Sequence, residues 1–150
     1  MSALGKTVLV VDDSVVMRKL VTAALAGMGC DIVEATNGYE GIQLFNHYDV
    51  ALVITDLVMP ETGGIELIES IRAHASRSDV PVIVLSSQVA GDLVDRAFAF
   101  GVKACLKKPI KRAVLASAVA FLLAPAREAP RAPSFRDPVV SLPSIPPHEA

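Results

Sequence analysis

The sequence predicts an α/β protein: five strand–helix pairs forming one parallel sheet with helices on both faces. Three observations predict it. Short apolar runs rich in β-branched residues recur five times, each followed by a stretch of helical character. The connections between them are short and carry turn chemistry such as Thr36-Asn37-Gly38. The central run, Val50 to Ile54, is unbroken rather than alternating, as suits a strand covered on both faces.

Taken in order, Thr7 to Val11 is the first strand and ends directly in Asp12-Asp13. Ser14 or Asp13 caps the helix that follows. Its Val16, Leu20, Ala23, Ala24 and Met28 fall near one face, with Arg18 and Lys19 outward, and Gly27 and Gly29 stop it. Asp31 to Ala35 is a shorter, half-polar strand suited to an edge. A second helix runs from about Tyr39 to His47, with Ile42 and Phe45 toward the core. Val50 to Ile54 is the third strand, running into Thr55-Asp56; Pro60 and Gly63-Gly64 then turn the chain. In the third helix, Ile65 to His74, Ile65, Ile68 and Ile71 share one side, while Glu66, Glu69 and Arg72 lie elsewhere. Val82 to Leu85 is the fourth strand and ends in Ser86-Ser87. A weakly patterned helix, about Gly91 to Phe100, leads to the fifth strand, Val102 to Leu106, which ends at Lys107-Lys108-Pro109. A fifth helix from about Lys111 to Leu123 completes the pattern.

From Pro125 the composition changes. Seven of the ten prolines fall in residues 125–150 and no periodicity survives, so the reading is a globular domain over residues 1–124 and a proline-rich disordered or extended tail. A net charge of −2 is too small to argue for nucleic acid or an anionic membrane surface as partner. The most apolar helical candidate, Ala113 to Ala124, falls well short of the about 20 residues a membrane span needs. Met1 to Lys6 has no apolar signal region. The expectation is a soluble, cytoplasmic protein. Cys30 and Cys105 lack metal-ligand spacing and read as buried free thiols.

In a parallel sheet all strand carboxyl ends share one edge, which is where ligands bind. Asp12, Asp13, Asp56, Ser86 and Lys108 are therefore expected to meet there, with Asp56 an exposed carboxylate at the tip of a rigid strand. Three carboxylates at one point either protonate or hold a cation. Oxygen ligands without His or Cys favour Mg²⁺ over Zn²⁺, and Mg²⁺ commonly keeps several waters and adds a phosphate oxygen. Ser86 can donate to a phosphoryl oxygen and Lys108 can neutralise another, leaving Asp56 as the nucleophile of an acyl phosphate. No GxxxxGK[ST] loop is present, and Gly27-Met28-Gly29 follows a helix, which fails the dinucleotide test.

The stretches Val8-Leu9-Val10-Val11-Asp12-Asp13-Ser14, Thr55-Asp56-Leu57-Val58-Met59-Pro60, Gly63-Gly64, Val84-Leu85-Ser86-Ser87 and Lys107-Lys108-Pro109-Ile110 together resemble the receiver domain of two-component response regulators, the single-domain chemotaxis type in particular. The resemblance covers about residues 5 to 124. It implies a flavodoxin-like three-layer sandwich with strand order 2-1-3-4-5. It also implies that Asp56 accepts a phosphoryl group from a sensor histidine kinase or phosphotransfer protein. Asp13, Asp56 and the Val58 backbone carbonyl would ligate Mg²⁺, Asp12 would help mainly through water, Ser86 would move to the phosphoryl group, and Lys108 would pair with it. The Lys108-Pro109 bond would be cis. This chain departs from the family at Cys105, where many relatives carry a switch aromatic, so an inward ring rotation has no side chain to carry it. Val58 and Gln88 occupy the positions that flank the acyl phosphate and bear on access of hydrolytic water.

The leading reading is thus a phosphoacceptor signalling protein, not an enzyme acting on other substrates, whose output is an altered contact with a downstream protein target. Val114, Leu115, Val119, Phe121 and Leu122 leave the fifth helix apolar enough for a docking or homodimer face as well as for burial on the sheet. The alternatives are a phosphorylation-independent interaction module, a phosphorelay intermediate, and a hydrolase of small phosphate esters.

Overall fold

A computed structural model describes residues 5–124 and the backbone of residues 140 and 141. Five strands, β1 (Thr7–Val11), β2 (Asp31–Ala35), β3 (Val50–Asp56), β4 (Val82–Ser86) and β5 (Ala104–Lys107), run parallel in the order β2-β1-β3-β4-β5. They alternate with α1 (Val15–Leu25), α2 (Gly38–His47), α3 (Gly64–Arg72), α4 (Asp92–Ala99) and α5 (Arg112–Leu123). This is the flavodoxin-like three-layer sandwich. A two-residue strand, β6 (Val140–Ser141), adds to the outer edge of β5 in antiparallel sense. The sequence pattern shows no sign of that pairing, because a valine and a serine among prolines have no periodicity to read. The rest of the tail lies outside the described residues.

Strand geometry sorts the core. Successive side chains point to opposite faces, so Leu9 and Val11 of β1 pack toward α2, α3 and α4, where Phe45, Ile68, Ile71 and Val94 close one layer. Val8 and Val10 pack the other way, against Val21 and Leu25 of α1 and Leu115, Ala118 and Val119 of α5. Both faces of the inner strands are dry, which is why β3 reads as one apolar run. Each fully buried Leu or Ile contributes about 1.5–3 kcal/mol of transfer free energy.

The packing departs from the sequence reading in several places. In α1 the buried residues are Val21 and Leu25, with Leu20 and Ala24 half-buried, while Met28, also half-buried, lies past the end of the helix. Val16 is 69% exposed and Ala23 is exposed, so the helix is rotated from the face expected for it. Docking on α5 and the sheet selects the face, and the adjoining apolar Val15 and Val16 blur the sequence stripe. Arg18 is not free on the surface: its Nε donates to Glu34 Oε1 at 2.9 Å and its Nη1 to the Asp12 carbonyl at 2.7 Å. Arg72 is tied down too, its guanidinium donating to the carbonyls of Phe100, Val80, Ser78 and Gly101. β5 begins at Ala104 rather than Val102. Cys105 is buried and free, whereas Cys30, also free, is only half-buried.

The turn after β3 also has a different cause. Gly63 sits at φ −88°, in no region that requires glycine; the left-handed residue is Glu61, at φ 65°. Gly64 is needed for close approach, since a Cβ there would strike the Asp56 carbonyl oxygen and come within 2.9 Å of Leu57 Cα.

Candidate functional site

β1 is flanked by β2 on one side and β3 on the other, so the chain reverses its direction of sheet growth between them. The crevice at the carboxyl ends of β1 and β3 is therefore a topological switch point, where open α/β sheets bind ligands. Asp12 follows the last residue of β1 and Asp56 is the last residue of β3. Neither is an exposed tip. Asp56 is 8% exposed and Asp12 1%, because the flanking loops and the Lys108 side chain cover them. Asp13 is exposed.

Every oxygen of the buried pair has a partner. Asp12 Oδ1 accepts from the Ser14 N–H at 2.9 Å, and Asp56 Oδ1 accepts from the Leu57 N–H at 2.7 Å. The other two oxygens converge on one cation: Lys108 Nζ donates to Asp56 Oδ2 at 3.0 Å and to Asp12 Oδ2 at 3.2 Å. Burial pushes the Asp12 carboxyl up; the Ser14 N–H and the Lys108 charge pull it down, and Asp56 adds repulsion. For Lys108, burial pulls the ammonium down, but the hydrogen bond and charge of Asp56, and then Asp12, outweigh it and leave it raised.

One ligand oxygen from each of Asp12, Asp13 and Asp56 can be chosen so that all three lie within 4.8 Å of one another. The donor set is all oxygen, two members are held by backbone N–H groups, and the third faces solvent. That fits a hard divalent ion which retains water, as Mg²⁺ does. Lys108 supplies one positive charge to a cluster of three carboxylates, so the cluster remains a net attractor of cations.

Ser86 ends β4, and the register pairs Asp56 with Leu85, one residue before it. Its Oγ accepts from the Gln88 N–H at 3.1 Å, and its carbonyl accepts from the Lys108 N–H at 2.8 Å. Ser86 is thus at the same edge, linked through the backbone to the lysine. The Lys108-Pro109 bond is cis. Val58 is 68% exposed and, with Leu57, Ser86 and Gln88, lines a groove of about 320 Å³ that runs toward Gly91 and Leu93. Cys105 is buried on β5 with its Sγ 3.9 Å from the Gln88 carbonyl, and burial pushes its thiol up to about 11. Of the residues singled out in the sequence, the structure joins Asp12, Asp13, Asp56 and Lys108 in one cluster and places Ser86, Gln88 and Val58 together along the groove beside it. Sequence reasoning missed Arg18, which holds the Asp12 carbonyl; its signal was the opposite charge on Glu34 of the neighbouring strand.

Comparison with known proteins agrees with this geometry. The family model for the response regulator receiver domain matches residues 8–120. A chemotaxis protein CheY homolog from Campylobacter jejuni is 37% identical over 109 residues, covering 71% of this chain and 84% of that protein. Among solved structures, the CheX–CheY–BeF3–Mg²⁺ complex from Borrelia burgdorferi is similar with TM-score 0.72 and 29% identity, covering 81% of this chain and 92% of that one. Chemotaxis protein CheY4 of Vibrio cholerae shares the fold, with TM-score 0.72 and 24% identity over 78% of this chain and 98% of that one. The family model, the identity to the Campylobacter relative and the strand order agree, and the chain belongs to the response regulator receiver domains.

Proposed function

We propose that this receiver accepts a phosphoryl group on Asp56 from a histidine kinase or a phosphotransfer protein and signals by changed contacts with a downstream protein. The observation that carries this reading is Lys108 Nζ, poised 3.0 Å from Asp56 and 3.2 Å from Asp12. A carboxylate oxygen of Asp56 attacks phosphorus, the N–P bond of the phosphohistidine breaks, and its electron pair leaves with the imidazole, which takes up a proton. Lys108 and the Leu57 N–H screen the negative charge that would otherwise keep the donor away. Ser86 donates its hydroxyl hydrogen to a phosphoryl oxygen once it turns from its present partner. Asp12, Asp13, Asp56 and the Val58 carbonyl would hold Mg²⁺, which when bound supplies charge neutralisation and orientation of the phosphoryl oxygens. The Borrelia relative, whose complex carries beryllofluoride and Mg²⁺, supports this assignment by its chemistry. The reading places the protein in the cytoplasm, with the receiver over residues 1–124 and the tail over 125–150. Among the described residues no helix is long and apolar enough to cross a membrane.

The test is incubation with acetyl phosphate and Mg²⁺ followed by intact mass. One phosphoryl group is expected on the wild type, none on Asp56→Asn, and none when a chelator removes the metal. An unlabelled, natively folded wild type rejects the proposal and favours a phosphorylation-independent module.

A further inference from the structure

The two edges of the parallel sheet are protected differently. β2 presents Asp31 and Glu34, both exposed, and charges along an edge discourage pairing with another strand. β5 reads Ala104-Cys105-Leu106-Lys107; the first three are buried and uncharged, and they lie between exposed Lys103 and Lys107. A short uncharged stretch of open edge is a template for strand addition. Here it is met by the chain itself, with Leu106 opposite Val140 and Cys105 opposite Ser141. We propose that the β5 edge is a docking surface for an extended peptide, and that its resident occupant is this chain's own segment centred on Val140-Ser141.

The sequence around the contact suits that role. Pro138 and Pro143 bracket Val139-Val140-Ser141-Leu142. Proline has no N–H to donate, so the added strand has at most four pairing residues, and its outer edge recruits no further strand. Two adjacent valines favour extended backbone. Fifteen residues separate Ala124 from Val140. That length spans up to about 50 Å, more than the roughly 30 Å width of a small domain. Tethering also raises the local concentration of the segment to about millimolar, so a contact too small to join separate molecules holds within one chain. A partner strand, or β5 of a second copy, reaches this edge only by displacing the segment.

The test uses the full chain. Val140→Pro combined with Ser141→Pro removes the N–H groups of both residues paired with β5 and leaves residues 1–124 unchanged. Exchange of whichever amide of Cys105 and Leu106 faces the segment, read by NMR, is expected to quicken by about ten-fold or more, with the β4 amides as internal reference. A synthetic peptide of residues 136–144 is expected to bind the variant at least about ten-fold more tightly than the wild type, because the wild-type edge is already taken. Equal exchange in the two proteins overturns the proposal, as does equal peptide affinity. It is also overturned if the wild-type protection appears only with dimerisation and is lost on dilution, which would make a second copy the occupant.

Discussion

Lys108 and Asp56 are separated by 52 residues in sequence and by 3.0 Å in space, from Nζ to Oδ2. The same ammonium reaches Asp12, so one cation holds two buried carboxylates that would otherwise repel each other.

Lys108 and a divalent cation compete for that negative charge. Lys108→Ala is expected to bind Mg²⁺ tighter than the wild type, by about three- to ten-fold, because the ammonium no longer shields the carboxylates. The rise in melting temperature on adding Mg²⁺ is therefore larger in the variant. Calorimetric titration and thermal melts with and without Mg²⁺ check this; a weaker Mg²⁺ affinity in the variant contradicts the competition.

Gly64→Ala places a methyl group against the Asp56 carbonyl oxygen and the Leu57 backbone. Neither is the flexible end of a side chain, so α3 must move off the end of β3. A loss of about 2–4 kcal/mol in urea unfolding is expected. Gly63→Ala, whose Cβ would lie 3.1 Å from the Leu57 carbonyl oxygen and 3.2 Å from Glu66 Oε1, costs clearly less.

Arg72 clamps the end of α3 to the entry of β4 and the end of α4 through four carbonyl groups. Arg72→Met keeps the stem and removes the donors, leaving several carbonyls poorly satisfied. The expected cost is about 2–4 kcal/mol, read by chemical denaturation. Phosphoryl labelling of Asp56 by acetyl phosphate is expected to continue in the folded fraction, since the clamp lies away from the acidic cluster.

Cys105 is expected to make stability fall at alkaline pH. Burial raises its thiol from the ordinary 9.0 to about 11, so between these values the folded state binds more protons than the unfolded. The contribution is intact below pH 9.0 and is lost as pH rises toward about 11, amounting to roughly 3 kcal/mol. Cys105→Ala is expected to flatten that part of the stability–pH profile, measured as the difference between variant and wild-type melts. Parallel profiles would refute it.

The fold class, the five strand–helix pairs and the membership of the acidic cluster were legible in the residues alone. The reason is that each rests on local chemistry: apolar runs of the right length, turn residues at their ends, and carboxylates directly after strands. Strand polarity then does the rest, since parallel strands must end on one edge. Tertiary structure decided which face of α1 is buried, because Val15, Val16 and Val21 are equally apolar and only docking on α5 separates them. It decided that Asp56 is covered rather than exposed, because the cover is Lys108, brought in from just past the end of β5. It decided that Gly64 serves close packing rather than a left-handed turn, since one-letter chemistry does not distinguish a missing Cβ that frees the backbone from one that makes room for it. The pairing of Val140-Ser141 with β5 belongs to the same class: two residues carry no period, and only an open edge elsewhere in the chain gives them a place to bind.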